Sequence, residues 1–192
     1  GIPPDPRLLS ALLLDTLDGS AVPGVRRVVV VTPARACAEV GGIVGDVEVL
    51  PQSDGDLGER MSATMTLLFA EGASAVALIG SDIPHISAAS IAAAFGLVSR
   101  NDRTLVLGPA EDGGYYLVAA RRQPDIFRGI EWGSERVLSQ TEAAARRDGF
   151  RVERLDTLTD VDTAEDLRRV ALVGRAPRTA AWLSSHERRH LP

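Results

Sequence analysis

Short unbroken apolar runs alternate with helical stripes along most of this chain, and that alternation limits the folds open to it more than any other feature. Leu8, Leu9, Leu12, Leu13 and Leu17 recur at helical spacing, closed by Gly19, Pro23 and Gly24. Arg26–Val31 follows, a β-branched run stopped by Thr32-Pro33, as suits a strand buried on both faces. Val47–Leu50 predicts a second strand, and Leu57, Met61, Met65, Leu68 and Phe69 a helix that Gly72 ends. Ser74–Ile79 predicts a third buried strand, running directly into Gly80-Ser81-Asp82-Ile83-Pro84. A helix over about Ser87–Val98, strands over Thr104–Leu107 and Tyr115–Ala119, a helix over about Ser134–Arg147 and a strand over Phe150–Leu155 continue the series. Thr163-Ala164-Glu165-Asp166 has the form of a capping box, with aspartate for glutamate, and opens a helix to about Val173. Strands and helices in this order predict an α/β domain: a mostly parallel sheet with helices on both faces.

The length, 192 residues with no internal repeat, suits one domain with its own core. We place it at residues 1–174, followed by a polar extension, 175–192, with Trp182 as the residue that would dock it. His186 and His190 share a helical spacing there, a weak basis for a metal site. All 21 basic residues are arginine, which excludes a Walker A loop, a Schiff-base lysine and a pyridoxal-phosphate enzyme. A net charge of −5 and an aromatic content of 4% speak against a nucleic-acid partner. Cys37 stands alone, so no intramolecular disulfide can form. No apolar run approaches the roughly 18–20 residues that cross a bilayer, and Gly1–Pro6 lacks the core of a signal peptide. The expectation is a cytoplasmic protein without a membrane partner.

Ligands of open parallel sheets gather at the carboxyl ends of the strands, and three acidic clusters fall at such places. Asp82 follows the strand ending at Ile79; it is either a site carboxylate or a residue that bonds turn amides and caps the next helix. Asp160 and Asp162 alternate in an extended segment and can face one side. Two hard oxygen ligands there suit Mg²⁺ or Mn²⁺, though acidic residues also favour a helix N-terminus for local reasons. Glu111-Asp112-Gly113-Gly114 allows close backbone approach to a ligand, or forms a hairpin turn. Gly55-Asp56-Leu57-Gly58-Glu59-Arg60 either offers amides to a phosphate or is a loop with Asp56 as helix cap. His85 reads as a surface or helix-start residue, and Cys37 as a small packing residue. Neither Gly-x-Ser-x-Gly nor Gly-x-Gly-x-x-Gly occurs.

Taken in order, Gln52-x3-Asp56-Leu57-Gly58-Glu59-Arg60-Met61, Ile79–Pro84, Leu107–Leu117, Trp132-Gly133-Ser134 and Asp160–Leu167 resemble one bacterial group. It is the GT-A-fold, glycosyltransferase-like family also called radical-SAM/selenodomain-associated transferases. More distantly, the chain is similar to 2-phospholactate guanylyltransferase and the molybdenum-cofactor nucleotidylyltransferases. The resemblance spans about Leu8–Val173 and implies a GT-A-like nucleotide-diphospho-sugar transferase fold. It implies Mg²⁺ or Mn²⁺ held by Asp82, Asp160 and Asp162, with Asp82 and Asp112 as catalytic residues. It further implies that Gly113, Gly114, Trp132 and Ser134 line a donor or acceptor pocket, and that Gln52, Asp56, Gly58 and Arg60 border the nucleotide. Members of that family open with a strand and a loop bearing Pro-Gly, lysine and arginine, for which this sequence has no counterpart. The expectation is that residues ahead of Gly1 supply both, so that Val28–Val31 and Val76–Ile79 flank a position that residues 1–192 do not fill.

The function that follows is transfer of a glycosyl group from a nucleotide-sugar donor to a small acceptor, with the metal required. Two alternatives stand beside it: nucleotidyl transfer to a small phosphorylated substrate with release of pyrophosphate, and a non-catalytic binding protein.

Overall fold

A computed structural model describes residues 5–187. Helix α1 spans Pro6–Gly19; Asp5 caps it by accepting a 2.8 Å bond from the Arg7 amide, with proline in the first turn where no donor is needed. Strand β1 (Val28–Val31), helix α2 (Cys37–Val44) and strand β2 (Glu48–Pro51) follow, then α3 (Leu57–Ala70) and β3 (Val76–Ile79). Next come α4 (Ala88–Val98), the hairpin strands β4 (Thr104–Pro109) and β5 (Tyr115–Ala120), and α5 (Val137–Arg147). The series closes with β6 (Arg151–Arg154), α6 (Ala164–Leu172) and α7 (Pro177–Glu187).

The strands form two sheets. β1 and β2 pair in parallel, and the second sheet has the order β3-β5-β4-β6. Within it β4 and β6 are parallel, while β5 runs antiparallel to both β3 and β4. The expected mostly parallel sheet is thus corrected to a mixed one. The reason is the short Ala110–Gly114 connection: a parallel neighbour would need a crossover of a dozen or more residues.

Alternation along the strands sends successive side chains to opposite faces. Leu105 and Leu107 of β4 join Val118, Met65, Ile126 and Phe150 on the face covered by α3 and α5. Val106 joins Leu117, Ala119, Ile83, Ile91 and Val98 on the α4 face. Leu105, Leu107 and Met65 are 0% exposed, and burying each such side chain contributes about 1.5–3 kcal/mol. A third cluster joins Leu8 and Leu12 of α1 to Leu167, Val170 and Ala176, with Trp182 packed against it.

Several local expectations change. The segment after Gly174 is not a featureless polar tail. It holds α7, whose first turn is fixed by the fully buried Asp15 side chain, accepting from the Thr179 amide and hydroxyl at 2.8 Å each and from Arg178 at 3.1 Å. Trp182 does dock it, donating to Asp5 at 3.2 Å, and stacks on His186; His190 lies outside the described residues. α5 starts at Val137 because Ser134 instead turns the chain, its hydroxyl donating to the Glu131 carbonyl at 2.8 Å. β1 is only half-buried from Val28 to Val30 rather than covered on both faces, because among the described residues one of its edges has no neighbouring strand. β1 and β3 are not paired; their open edges both line one cavity of about 1530 Å³.

Candidate active site

The cavity runs from the amino ends of β1 and β3 to an acidic rim at the carboxyl end of β3. Three chain segments build that rim. β3 delivers Asp82 through the Gly80-Ser81 turn. The β4–β5 hairpin tip delivers Asp112, and the extended stretch before α6 delivers Asp160 and Asp162.

Main-chain bonds tie the segments together. Leu158 donates to the Pro109 carbonyl at 3.0 Å and Glu111 donates to Leu158 at 3.2 Å, extending the β4–β6 pairing past the strands. Val161 donates to the Asp82 carbonyl at 3.1 Å. At the hairpin tip Asp112 accepts from the Gly114 amide at 2.7 Å. Gly113 there has φ of +90°, and a Cβ would lie 2.4 Å from the Glu135 carbonyl oxygen, so only glycine fits. Asp-Gly-Gly is therefore a hairpin turn and an acid-bearing tip at once. Beyond the rim, Thr163 and Asp166 form the capping box of α6, leaving Asp160 and Asp162 outside the helix.

One carboxylate oxygen from each of Asp112, Asp160 and Asp162 lies within 4.8 Å of the others. Asp82 lies outside that trio but borders the same cavity, and its carboxyl is pushed up by burial first, then by the charges of Asp162 and Asp112. Asp160 is pushed up to about 6, again by burial first, then by Asp112, Asp162 and Asp82. Mutual repulsion of this kind is relieved by a cation, and a set of hard carboxylate oxygens fits Mg²⁺ or Mn²⁺.

Of the remaining predicted residues, Gln52, Gly114, Trp132 and Ser134 line the cavity, whereas Asp56, Gly58, Arg60 and Gly113 do not. Asp56 caps α3 in a reciprocal box with Glu59, which occupies its carboxylate. Arg60 reaches Gln52 at 3.3 Å. Gly58 acts from beneath: a Cβ would sit 2.5 Å from the Phe127 carbonyl oxygen and 2.9 Å from the Trp132 ring, so glycine lets the indole close over α3. Tyr115, given no role by the sequence reading, meets Trp132 edge-on at 6.4 Å and forms the cavity's aromatic wall. The tyrosine directly after Gly113-Gly114, with Trp132 in the next motif, was the available signal. His85 is buried at 7% exposure, not on the surface, because the loop before α4 folds beneath α1.

Among solved structures the chain is similar to a provisionally named nucleotide-diphospho-sugar transferase from Desulfovibrio desulfuricans G20, with 29% identity, 94% of this chain and 82% of that one covered, and a TM-score of 0.84. At the level of fold it also matches CMP:2-keto-3-deoxy-manno-octonic acid synthetase complexed with CTP, at 14% identity, 88% of each chain and a TM-score of 0.59. A third match is Rv0371c from Mycobacterium tuberculosis H37Rv, at 15% identity, 84% of this chain, 83% of that one and a TM-score of 0.52. The fold is therefore the α/β fold of the nucleotide-diphospho-sugar transferases. Residues 16–134 match the family described as uncharacterized proteins conserved in bacteria (DUF2064), and the chain belongs to that family. No curated protein matches it in sequence.

Proposed function

We propose that the protein is a divalent-metal-dependent transferase that moves a glycosyl group from a nucleotide-sugar donor to a small acceptor. The observation that carries this reading is the convergence of Asp112, Asp160 and Asp162 at the rim of a large cavity in this fold. Those three side chains would hold Mg²⁺ or Mn²⁺. The ion, when bound, would neutralise donor phosphates and stabilise charge on the leaving oxygen. Asp82, whose carboxyl is pushed up by burial, would take the proton of an acceptor hydroxyl. Tyr115 and Trp132 supply an apolar wall against which a base or sugar ring can pack. In this reading the acceptor would displace the leaving group directly, without a covalent intermediate.

The test is a thermal-shift titration with nucleoside diphosphates and nucleotide sugars, with and without Mn²⁺, followed by product analysis. A Mn²⁺-dependent shift that Asp162→Asn abolishes is expected, with a nucleoside diphosphate as the released product. Pyrophosphate release would reassign the protein as a nucleotidylyltransferase, the reading favoured by its shared fold with a synthetase solved with CTP. Neither product, with metal-dependent affinity intact, would mark a binding protein. Loss of all metal dependence would overturn the reading.

A further inference from the structure

We propose that Arg169, half-exposed on α6, is a positioning residue of the acidic rim. Its guanidinium clasps the β4–β5 hairpin tip to the stretch before α6, and so holds Asp112 and Asp160 close enough to share one cation. This role rests on the metal site proposed above. Arg169 Nη2 donates to both carboxylate oxygens of Glu111, at 3.0 and 2.9 Å, and reaches the Thr159 hydroxyl at 3.4 Å. Nη1 faces Asp166 at 3.7 Å. Glu111 is the residue ahead of Asp112, and Thr159 the residue ahead of Asp160. One side chain from a third element therefore grips both carriers of the trio, each one residue away from its acid.

The base of the clasp is fixed. Leu167 and Val170 flank Arg169 in α6, are 2% and 1% exposed, and share a core cluster with Val161, the residue between Asp160 and Asp162. Asp166 closes the capping box on Thr163. The hairpin tip is held by less. Leu138 ties it to α5 by donating to the Gly113 carbonyl at 2.9 Å, and Glu111 ties it to Leu158 at 3.2 Å. Neither bond spans the interval from Asp112 to Asp160. Three carboxylates with oxygens within 4.8 Å of one another press that interval open. Arg169 resists from outside the trio, and engages the Glu111 carboxylate there as well. A half-exposed ion pair adds little to stability by itself, so what Arg169 supplies is geometry. Outer partners that orient metal ligands commonly govern affinity by roughly 10–100-fold. Charge and geometry here predict opposite signs. As a bare positive charge beside the rim, Arg169 repels a cation, and its loss would tighten binding; as a clasp, its loss weakens binding.

The test compares the wild type with Arg169→Gln, Arg169→Lys, Glu111→Gln and the Arg169→Gln/Glu111→Gln double variant. The measurements are Mn²⁺ affinity, melting temperature and, in chelator, amide hydrogen exchange over 110–114 and 158–162. Arg169→Gln is expected to weaken Mn²⁺ binding about tenfold, to stay within about 3 °C of the wild type in melting temperature, and to speed exchange at Glu111 and Leu158 while β4 and β5 are unaffected. Arg169→Lys, a point charge in place of the fork, is expected to recover part of the loss. The double variant is expected to bind no worse than the weaker single variant, as for two halves of one interaction. Unchanged or tighter Mn²⁺ binding in Arg169→Gln overturns the proposal, as do effects that simply add in the double variant. An Arg169→Gln chain that fails to fold also overturns it, in favour of a purely structural role. A wild type that takes up no Mn²⁺ ends the metal reading, and exchange then decides the clasp alone. Faster exchange at Glu111 and Leu158 in Arg169→Gln upholds it there, and unchanged exchange overturns it.

Discussion

Asp160 provides the sharpest test of the acidic rim. Its carboxyl stands at about 6 instead of the ordinary 3.8, raised by burial first and then by Asp112, Asp162 and Asp82. The ionised form is therefore worse off in the folded protein than in the unfolded chain. For an acid with a raised folded value, the stability it contributes is complete below the unfolded value and lost as pH climbs through the folded one. The rise corresponds to about 3 kcal/mol at 1.36 kcal/mol per pKa unit. Asp160 is partly open to solvent, and screening reduces this to about 1 kcal/mol. Asp160→Asn, neutral and close in shape, should thus stabilise the metal-free protein by about 1 kcal/mol near pH 7.5, with the gain fading towards about pH 4. In a domain of this size that is about 2–4 °C in melting temperature, measurable by circular dichroism in the presence of a chelator. Millimolar Mn²⁺ should reverse the order, raising the wild type more than the variant. Equal melting temperatures near neutral pH, or a gain independent of pH, would refute the argument that crowded charge destabilises this rim.

Three further outcomes follow from the packing. Gly58→Ala places a methyl 2.5 Å from the Phe127 carbonyl oxygen and 2.9 Å from the Trp132 ring; it should cost about 1–3 kcal/mol and shift tryptophan emission, and an unchanged spectrum would show that the indole is not held this way. Asp15→Ala removes the acceptor for the Thr179 amide and hydroxyl; a loss of about 1–3 kcal/mol and faster proteolysis within 175–187 are expected, and unaltered proteolysis would sink the assigned role. Glu142 is held below the usual carboxylate range by Arg154, at 2.5 Å, and by Arg146, at 3.0 Å. Its stabilisation is present above the unfolded value and lost as pH falls through the depressed one. Glu142→Gln should therefore cost about 1–2 kcal/mol at neutral pH, and its urea midpoint should meet that of the wild type in acid; a gap that persists there contradicts the pairing.

β3 and β4 were legible because Val76–Ile79 and Leu105–Leu107 are continuous apolar runs bounded by glycine, proline or polar residues. The Thr163–Asp166 capping box was equally plain, since its two bonds are local. The direction of β5 was harder to read, because a period of two looks the same in either sense; only the brevity of Ala110–Gly114 encoded it. α2 was hidden by Gly41 and Gly42 in its middle, and α7 by a polar composition that hides how much of it rests on Asp15 and Trp182. That Asp112 joins Asp160 and Asp162 could not be read from spacing at all. Their meeting depends on Ala110 pairing with Leu158, a contact between distant segments.

The bonds from Leu158 to Pro109, from Glu111 to Leu158 and from Val161 to Asp82 make the acidic rim a mechanical part of the sheet. Carboxylates on independent loops would swing apart as they lose their protons, dissipating the repulsion through motion. Here the backbone limits that escape to side-chain rotation, so taking up a proton or a cation is the more complete relief. The rim is accordingly expected to open with the β4–β6 ladder rather than by independent loop fluctuation. Amides of Glu111, Leu158 and Val161 should exchange in step with that ladder, so the geometry of the rim and the integrity of the core would vanish together on heating.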